Sequence, residues 1–201
     1  HNIQGIGDKH VPLIHNVMST DYVSAISDRS TDALDLLFNT PAGHDELRRR
    51  GVDEATIGEL THLGYSSICN ALSASKLATY EDYGPGDVIV TVATDGSELY
   101  DAEREEYVAR HHPDGYSAVE AAADFAEHLA AVDTSAFLAL REEDRRRIFN
   151  LGYYTWVEQQ GESVEDFDRR RAQSFWSGLL DLVPAWDDRI REFNDRVAAA
   201  G

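Results

Sequence analysis

Cysteine is almost absent from this chain of 201 residues. Cys69 stands alone, so no internal disulfide and no cysteine-based zinc cage can form within it. Lysine is nearly as scarce, with only Lys9 and Lys76, and arginine supplies the rest of the positive charge. No run approaches the roughly 18–20 consecutive apolar residues of a membrane span, and no basic-then-apolar leader opens the sequence. These absences point to a cytoplasmic protein with no membrane association.

The acids are abundant. The formal net charge is −19, a field that repels phosphate and disfavours nucleic acid as a partner. The carboxylates are spread along the chain rather than gathered in one tail, which suits a halophilic surface whose self-repulsion is screened by salt. An acidic face for a basic partner is the rival reading. A 42% hydrophobic content is ordinary for a globular protein, and the length allows one good core or two small ones.

Two textures divide the chain. Residues 1–100 mix glycine turns, β-rich runs and helical patterns, predicting an α/β core of mostly parallel sheet with flanking helices. Tyr22–Ile26 is a candidate strand. Asp28 or Ser30 is placed to cap a helix bearing Ala33, Leu34, Leu37 and Phe38, which Pro41 should break. Short helices are predicted near 44–50 and 53–63, and a longer one over 66–80 with Ile68, Ala71, Leu72 and Ala78 inward. After the turn Gly84-Pro85-Gly86-Asp87, the run Val88-Ile89-Val90-Thr91-Val92 has the composition of a parallel strand covered on both faces.

Residues 101–201 are predicted to be a helical extension packed on that core. Val119, Ala122, Ala123, Ala126 and Ala130 form one stripe. Ile148, Phe149, Leu151, Tyr153 and Trp156 occupy most of a second helix's circumference, predicting deep burial. Ser163 opens a third helix, and Trp186, Ile190, Phe193 and Val197 share a face after Pro184.

Three short segments stand out for chemistry. His1-Asn2-Ile3-Gln4-Gly5-Ile6-Gly7 is a glycine-spaced turn followed by Val11-Pro12. Gly64-Tyr65-Ser66-Ser67 turns into a helix. Ala93-Thr94-Asp95-Gly96 ends the apolar run, at the strand end where ligands of open α/β sheets bind. Each is weak alone, because short glycine turns are common.

Taken in order, the three resemble the H-K-I-Q-G-I-G…(I/V)-P stretch, the G-I-S-S turn and the strand ending in P-S-x-G of the cysteine synthase family. That family lies within the fold-type II pyridoxal-phosphate enzymes. The resemblance covers residues 1 to about 100. It implies pyridoxal 5′-phosphate as cofactor and β-elimination or β-replacement on a small amino-acid substrate. Gly5 and Gly7 would lie beside the pyridine ring, Thr94 would meet the ring nitrogen through its hydroxyl, and Asp95 would complete that turn. The chain departs from the family at Asp8-Lys9-His10, where small residues and an aromatic are usual, at an inserted helical segment before Gly64, and at Thr94-Asp95 itself.

The same resemblance places the Schiff-base lysine, the asparagine on the cofactor's phenolic oxygen and the phosphate loop upstream of His1. No catalytic residue is therefore assigned within this chain. A complementary N-terminal segment or chain is expected to supply them, with a homodimer as the complete enzyme. Lys9 beside the ring-lining turn is open as a substitute, although a surface lysine next to Asp8 is the plainer reading. Lys76 falls far from the ring. A non-catalytic subunit or helical interaction scaffold, with residues 101–201 carrying the function, is the alternative, and a plain helical adaptor a third.

Other candidates have plainer readings. His10, His15, His111 and His112 lack metal-site spacing, Ser66-Ser67 lacks a nucleophile elbow, and Cys69 has the character of a small core residue.

Overall fold

The helix over Asp28–Asn39 (α1) is buried all round from Thr31 to Phe38 in the computed structural model, which describes residues 2–3, 6–7 and 10–200. Ser27 caps it, its hydroxyl accepting from the Ser30 N–H at 3.1 Å. Pro41, expected to end this helix and leave a gap, instead opens the next one, Pro41–Arg49 (α2). There its missing N–H is no loss. The Thr40 hydroxyl caps α2 by accepting from the Gly43 N–H. A Cβ at Gly43 would lie 2.1 Å from the Leu37 carbonyl oxygen, so only glycine lets α1 and α2 approach this closely.

Asp53 caps Glu54–Glu59 (α3), and a 3₁₀ turn at Leu60–His62 leads to Tyr65–Tyr80 (α4). Leu34, Leu37 and Phe38 of α1 pack with Leu47, Ile57, Ile68, Leu72 and Ala121 into the main core. Asp101–His111 (α5) and Ala118–Asp124 (α6) follow, and α6 runs into a π-helical segment over Phe125–Ala130.

The expected fold class, a mostly parallel sheet with flanking helices, is not what the chain forms. Among the described residues one sheet exists, with two short strands at Tyr22–Ser24 (β1) and Phe137–Ala139 (β2). They run antiparallel, flanked by Ala25 N–H to Ala136 O at 2.9 Å and Leu140 N–H to Asp21 O at 2.7 Å. The Val88–Val92 run is no strand at all. Val88 and Val90 are 82% and 90% exposed, and no N–H of residues 88–94 donates a hydrogen bond among the described residues. Its β-branched composition favours an extended backbone, but a strand also needs a neighbour to pair with. Among the described residues the ladder lies elsewhere, between β1 and β2.

The chain divides into two units. One comprises the described residues up to 7 together with 24–138, and the other 10–23 with 139–200. The second unit contains Glu142–Tyr153 (α7), continuing as a π-helical segment over Tyr154–Gln159, then Val164–Arg169 (α8), Gln173–Leu180 (α9) and Val183–Ala200 (α10). Its core is Val17, Phe149 and Phe167. Trp156 Nε1 donates to the Val11 carbonyl at 2.7 Å, and Arg145 Nε to the Thr20 carbonyl at 2.7 Å.

Burial on α6 and α7 departs from the expected stripes before either π-helical segment begins. Ala121 and His128 are buried in place of the expected Val119 stripe, and Val119 is largely exposed. On α7 and its extension only Phe149, Gly152 and Thr155 are buried, so the expected deep burial shrinks to one narrow face. Trp186, Ile190, Phe193 and Val197 do share a face of α10, yet all of residues 183–199 are exposed. No helix among the described residues is long and apolar enough to cross a membrane.

Candidate functional site

The start of α4 grips the 92–96 segment through three hydrogen bonds. The Gly64 N–H donates to the Asp95 carbonyl at 2.9 Å, Ser66 Oγ lies 3.2 Å from Thr94 Oγ1, and Asn70 Nδ2 donates to the Val92 carbonyl at 2.9 Å. A Cβ at position 64 would sit 2.6 Å from the Asp95 carbonyl oxygen and 2.7 Å from Tyr100 Cε2. Glycine is thus required by close approach rather than by its backbone angles.

Beneath this contact Tyr65 and Tyr100 stack, with ring centroids 4.5 Å apart and planes 14° from parallel. Ile3 and Cys69 complete the buried cluster, and Ile6 packs against it. Residues of the opening turn, the Gly64–Ser67 turn and the Thr94–Gly96 turn, which are separate in sequence, therefore meet on one face of the first unit.

A buried polar network supports that face. Asp35 is fully buried and accepts from Arg104 Nε at 2.6 Å and Nη2 at 3.1 Å. Arg104 Nη2 also donates to the Ser97 carbonyl at 3.1 Å. The Ser97 hydroxyl donates to Asn39 Oδ1 at 2.9 Å, and Asn39 Nδ2 returns to Asp35 Oδ1 at 3.0 Å. The 3₁₀ turn at Ser97–Tyr100 is thereby locked to α1. Nearby, Asn2 Nδ2 donates to Asp32 Oδ1 at 2.7 Å.

Burial dominates the ionisation here. It pushes the Asp35 carboxyl up against the pull of its Arg104 bonds, and the Asp32 carboxyl up against hydrogen bonds from Asn2 and Tyr65. Burial also raises the Tyr65 phenol, with the Asp35 and Asp32 charges adding to it. The Tyr100 phenol rises through burial and the neighbouring Asp95. Both tyrosines are neutral hydrogen-bonding groups at neutral pH. The Ser67 hydroxyl is buried without a hydrogen-bond partner among the described residues.

No protein-family model, curated protein or solved structure matches this chain.

The candidate residues are distributed unevenly over this face. Thr94 and Asp95 are exposed at its edge, with the Thr94 hydroxyl held by Ser66 and the Asp95 backbone held by Gly64. Gly7 is exposed with φ +75°, a left-handed conformation natural to glycine. Gly5 and Lys9 lie outside the described residues. Lys76 is engaged elsewhere, its Nζ donating to the Asp133 carbonyl at 3.0 Å and the Ser135 carbonyl at 2.8 Å. His10 Nδ1 pairs with Thr155 Oγ1 at 2.9 Å and His15 Nε2 with Thr20 Oγ1 at 3.0 Å, both in the second unit, while His111 and His112 lie against Tyr107.

Sequence reasoning missed Asp32, Asp35, Ser97 and Arg104. The available signal was two acids three residues apart, Asp32 just before and Asp35 within the apolar stretch Ala33–Phe38, where a carboxylate demands a partner.

Proposed function

We propose that this chain is the cofactor-facing part of a pyridoxal-phosphate-dependent enzyme of the cysteine synthase kind. It would act by β-elimination or β-replacement on a small amino acid. The observation that carries the reading is the meeting of three segments. The stretches that resemble the family are far apart along the sequence, and residues of all three gather around the stacked Tyr65 and Tyr100.

The residues at the edge of that face suit the group. Bound there, pyridoxal 5′-phosphate would supply an electron sink for a carbanion at the substrate's α-carbon. Thr94 offers an exposed, uncharged hydroxyl to the ring nitrogen, which unlike a carboxylate does not hold a proton there. Ser66 orients that hydroxyl from 3.2 Å away. The Gly64 N–H fixes the backbone of Asp95 beside it. Gly7 presents no side chain that would block a flat ring, and Gly5 is assigned the same role from the resemblance alone. Tyr65, Tyr100 and the Asp35–Arg104 pair keep the Thr94 turn in place from behind. Lys76 is committed to two carbonyls, and the resemblance places the reacting amine on a complementary segment.

The test is cofactor binding by the chain together with a lysine-bearing complementary segment, followed by visible absorbance and borohydride fixation. A band that appears with both components and weakens in Thr94→Ala supports the reading. No band with both present overturns it. A second reading, a helical interaction scaffold, is favoured by the continuous exposure of α10 with its apolar face outward.

A further inference from the structure

Between the Gly84–Asp87 turn and its contact with α4, the chain carries a length of backbone that is held at both ends and paired along neither edge. The Asp87 N–H donates to the Gly84 carbonyl at 3.0 Å, and the Gly84 N–H donates to Asp87 Oδ2 at 2.8 Å. At the far end Asn70 Nδ2 reaches the Val92 carbonyl and the Gly64 N–H reaches the Asp95 carbonyl. From Val88 to Thr94 there is no turn or bend. Among the described residues no N–H of this stretch donates, and of its carbonyls Val92 alone accepts. With both ends fixed, less conformational entropy remains to be lost when a second strand pairs with it.

Val88, Ile89, Val90, Thr91 and Val92 are all β-branched, the side chains that suit a pleated strand. Alternation puts Val88, Val90 and Val92 on one face, where all three are exposed, while Ile89 is half-buried. In an extended backbone the N–H and C=O of one residue leave by the same edge, and those of the next residue by the other. The Val92 carbonyl is turned to α4, so the edge of Ile89, Thr91 and Ala93 faces away from it. Residues 88–93 span about 20 Å at ~3.3 Å each, the length of an ordinary strand.

The flanking charge selects the occupant. Between Lys76 and Arg104 the sequence holds seven acids and no basic residue. Asp87 stands at one end of the stretch, with Asp95 and Glu98 at the other, and all three are exposed. A second copy would bring these acids against their own kind in either strand orientation, with a net charge of −19 on each chain. A strand ending in lysine or arginine meets opposite charge at both ends.

We propose that Val88–Ala93 is a docking edge for a partner polypeptide, which adds one extended apolar strand flanked by lysine or arginine. Main-chain hydrogen bonds to Ile89, Thr91 and Ala93 give the affinity, and the acids fix which strands are accepted. The edge lies outside the residues assigned to pyridoxal phosphate. Its test needs no cofactor, so either reading can fail without the other.

The experiment titrates the full chain, without pyridoxal phosphate, into a fluorescent synthetic peptide of alternating valine and threonine between two pairs of lysines. Anisotropy gives the affinity and amide hydrogen exchange locates the contact. Saturable binding that slows exchange at 88–93 and weakens with added salt is expected. Methylating alternate backbone nitrogens of the peptide keeps its charge but removes donors, and should weaken binding by about tenfold or more. Replacing its lysines by glutamate should do the same. Thr91→Pro removes the central donor of the open edge, at an exposed residue whose N–H holds nothing in the fold, and should match that loss. If Thr91→Pro lowers the melting temperature, Asp87→Asn combined with Glu98→Gln carries the test through a loss of about threefold or more. Equal binding of the methylated or the glutamate peptide, or unchanged exchange at 88–93, would overturn the proposal. So would self-association of the chain that Thr91→Pro abolishes, because the occupant would then be a second copy.

Discussion

Arg104 closes on Asp35 with two guanidinium nitrogens, Nε at 2.6 Å and Nη2 at 3.1 Å, and the carboxylate it reaches is fully buried. Removing the cation alone strands that charge. Arg104→Met is expected to destabilise the first unit by about 3–5 kcal/mol in urea unfolding. Asp35→Asn combined with Arg104→Met should recover part of the loss, because no buried charge is then left unpaired. Equal destabilisation by the single and double variants would show that the pair contributes through packing instead.

The pair also marks where sequence reading stops. Asp35 and Arg104 are 69 residues apart, and nothing local announces that they meet. By contrast α1 and α4 were legible as helices, because Ala33, Leu34, Leu37 and Phe38, and then Ile68 and Leu72, recur at helical spacing and are buried. Ala71, expected inward with them, is exposed, and Ala78 is half-buried. The Val88–Val92 run misled because composition specifies an extended backbone but not a pairing partner. The stripes after Ala118 and Ile148 misled because apolar spacing marks a helix but not how much of it a neighbour covers, and Val119, Leu151 and Tyr153 stay exposed. Of the candidate site, the Gly64 segment was legible as a helix start and the Thr94 segment as a turn, whereas the buried acids behind them were not.

Gly64 tests the convergence directly. Gly64→Ala places a methyl within 2.6 Å of the Asp95 carbonyl oxygen and 2.7 Å of the Tyr100 ring. A loss of about 1–3 kcal/mol is expected from this overpacking. Thermal unfolding followed by tyrosine near-ultraviolet dichroism should report it, together with a weakened signal from the stacked pair. Wild-type stability in Gly64→Ala would mean that the two segments do not approach as described.

Acid should loosen α2 through Glu46. Burial pushes its carboxyl up, but hydrogen bonds from Arg50 and Arg49, with their charges, outweigh that and hold it below its ordinary value of 4.5. The folded state thus binds this proton less readily than the unfolded chain. The stabilisation is complete above pH 4.5 and disappears as pH falls through the lower folded value. Glu46→Gln should flatten that part of the stability–pH curve and cost about 1–2 kcal/mol at neutral pH, a range reduced for the solvent exposure of both arginines. An unchanged acid limb in the variant would remove Glu46 from the explanation.

The apolar face of α10 should be dispensable for folding. Ile190 and Phe193 are 57% and 60% exposed, so replacing either by aspartate is expected to change unfolding by no more than about 0.5 kcal/mol. Isothermal denaturant curves of Ile190→Asp and Phe193→Asp provide the measurement. A loss several times larger would show that another surface covers this helix in solution.

Cys69 gives the molecule a built-in reporter. It is the sole thiol in the sequence, 5% exposed, and burial raises its proton affinity, so a thiolate-seeking reagent meets it only when the surrounding packing parts. Its labelling rate at fixed pH therefore times the transient separation of Ile3, Tyr65 and Tyr100. A ligand seated on that face would slow the reaction without touching the sulfur.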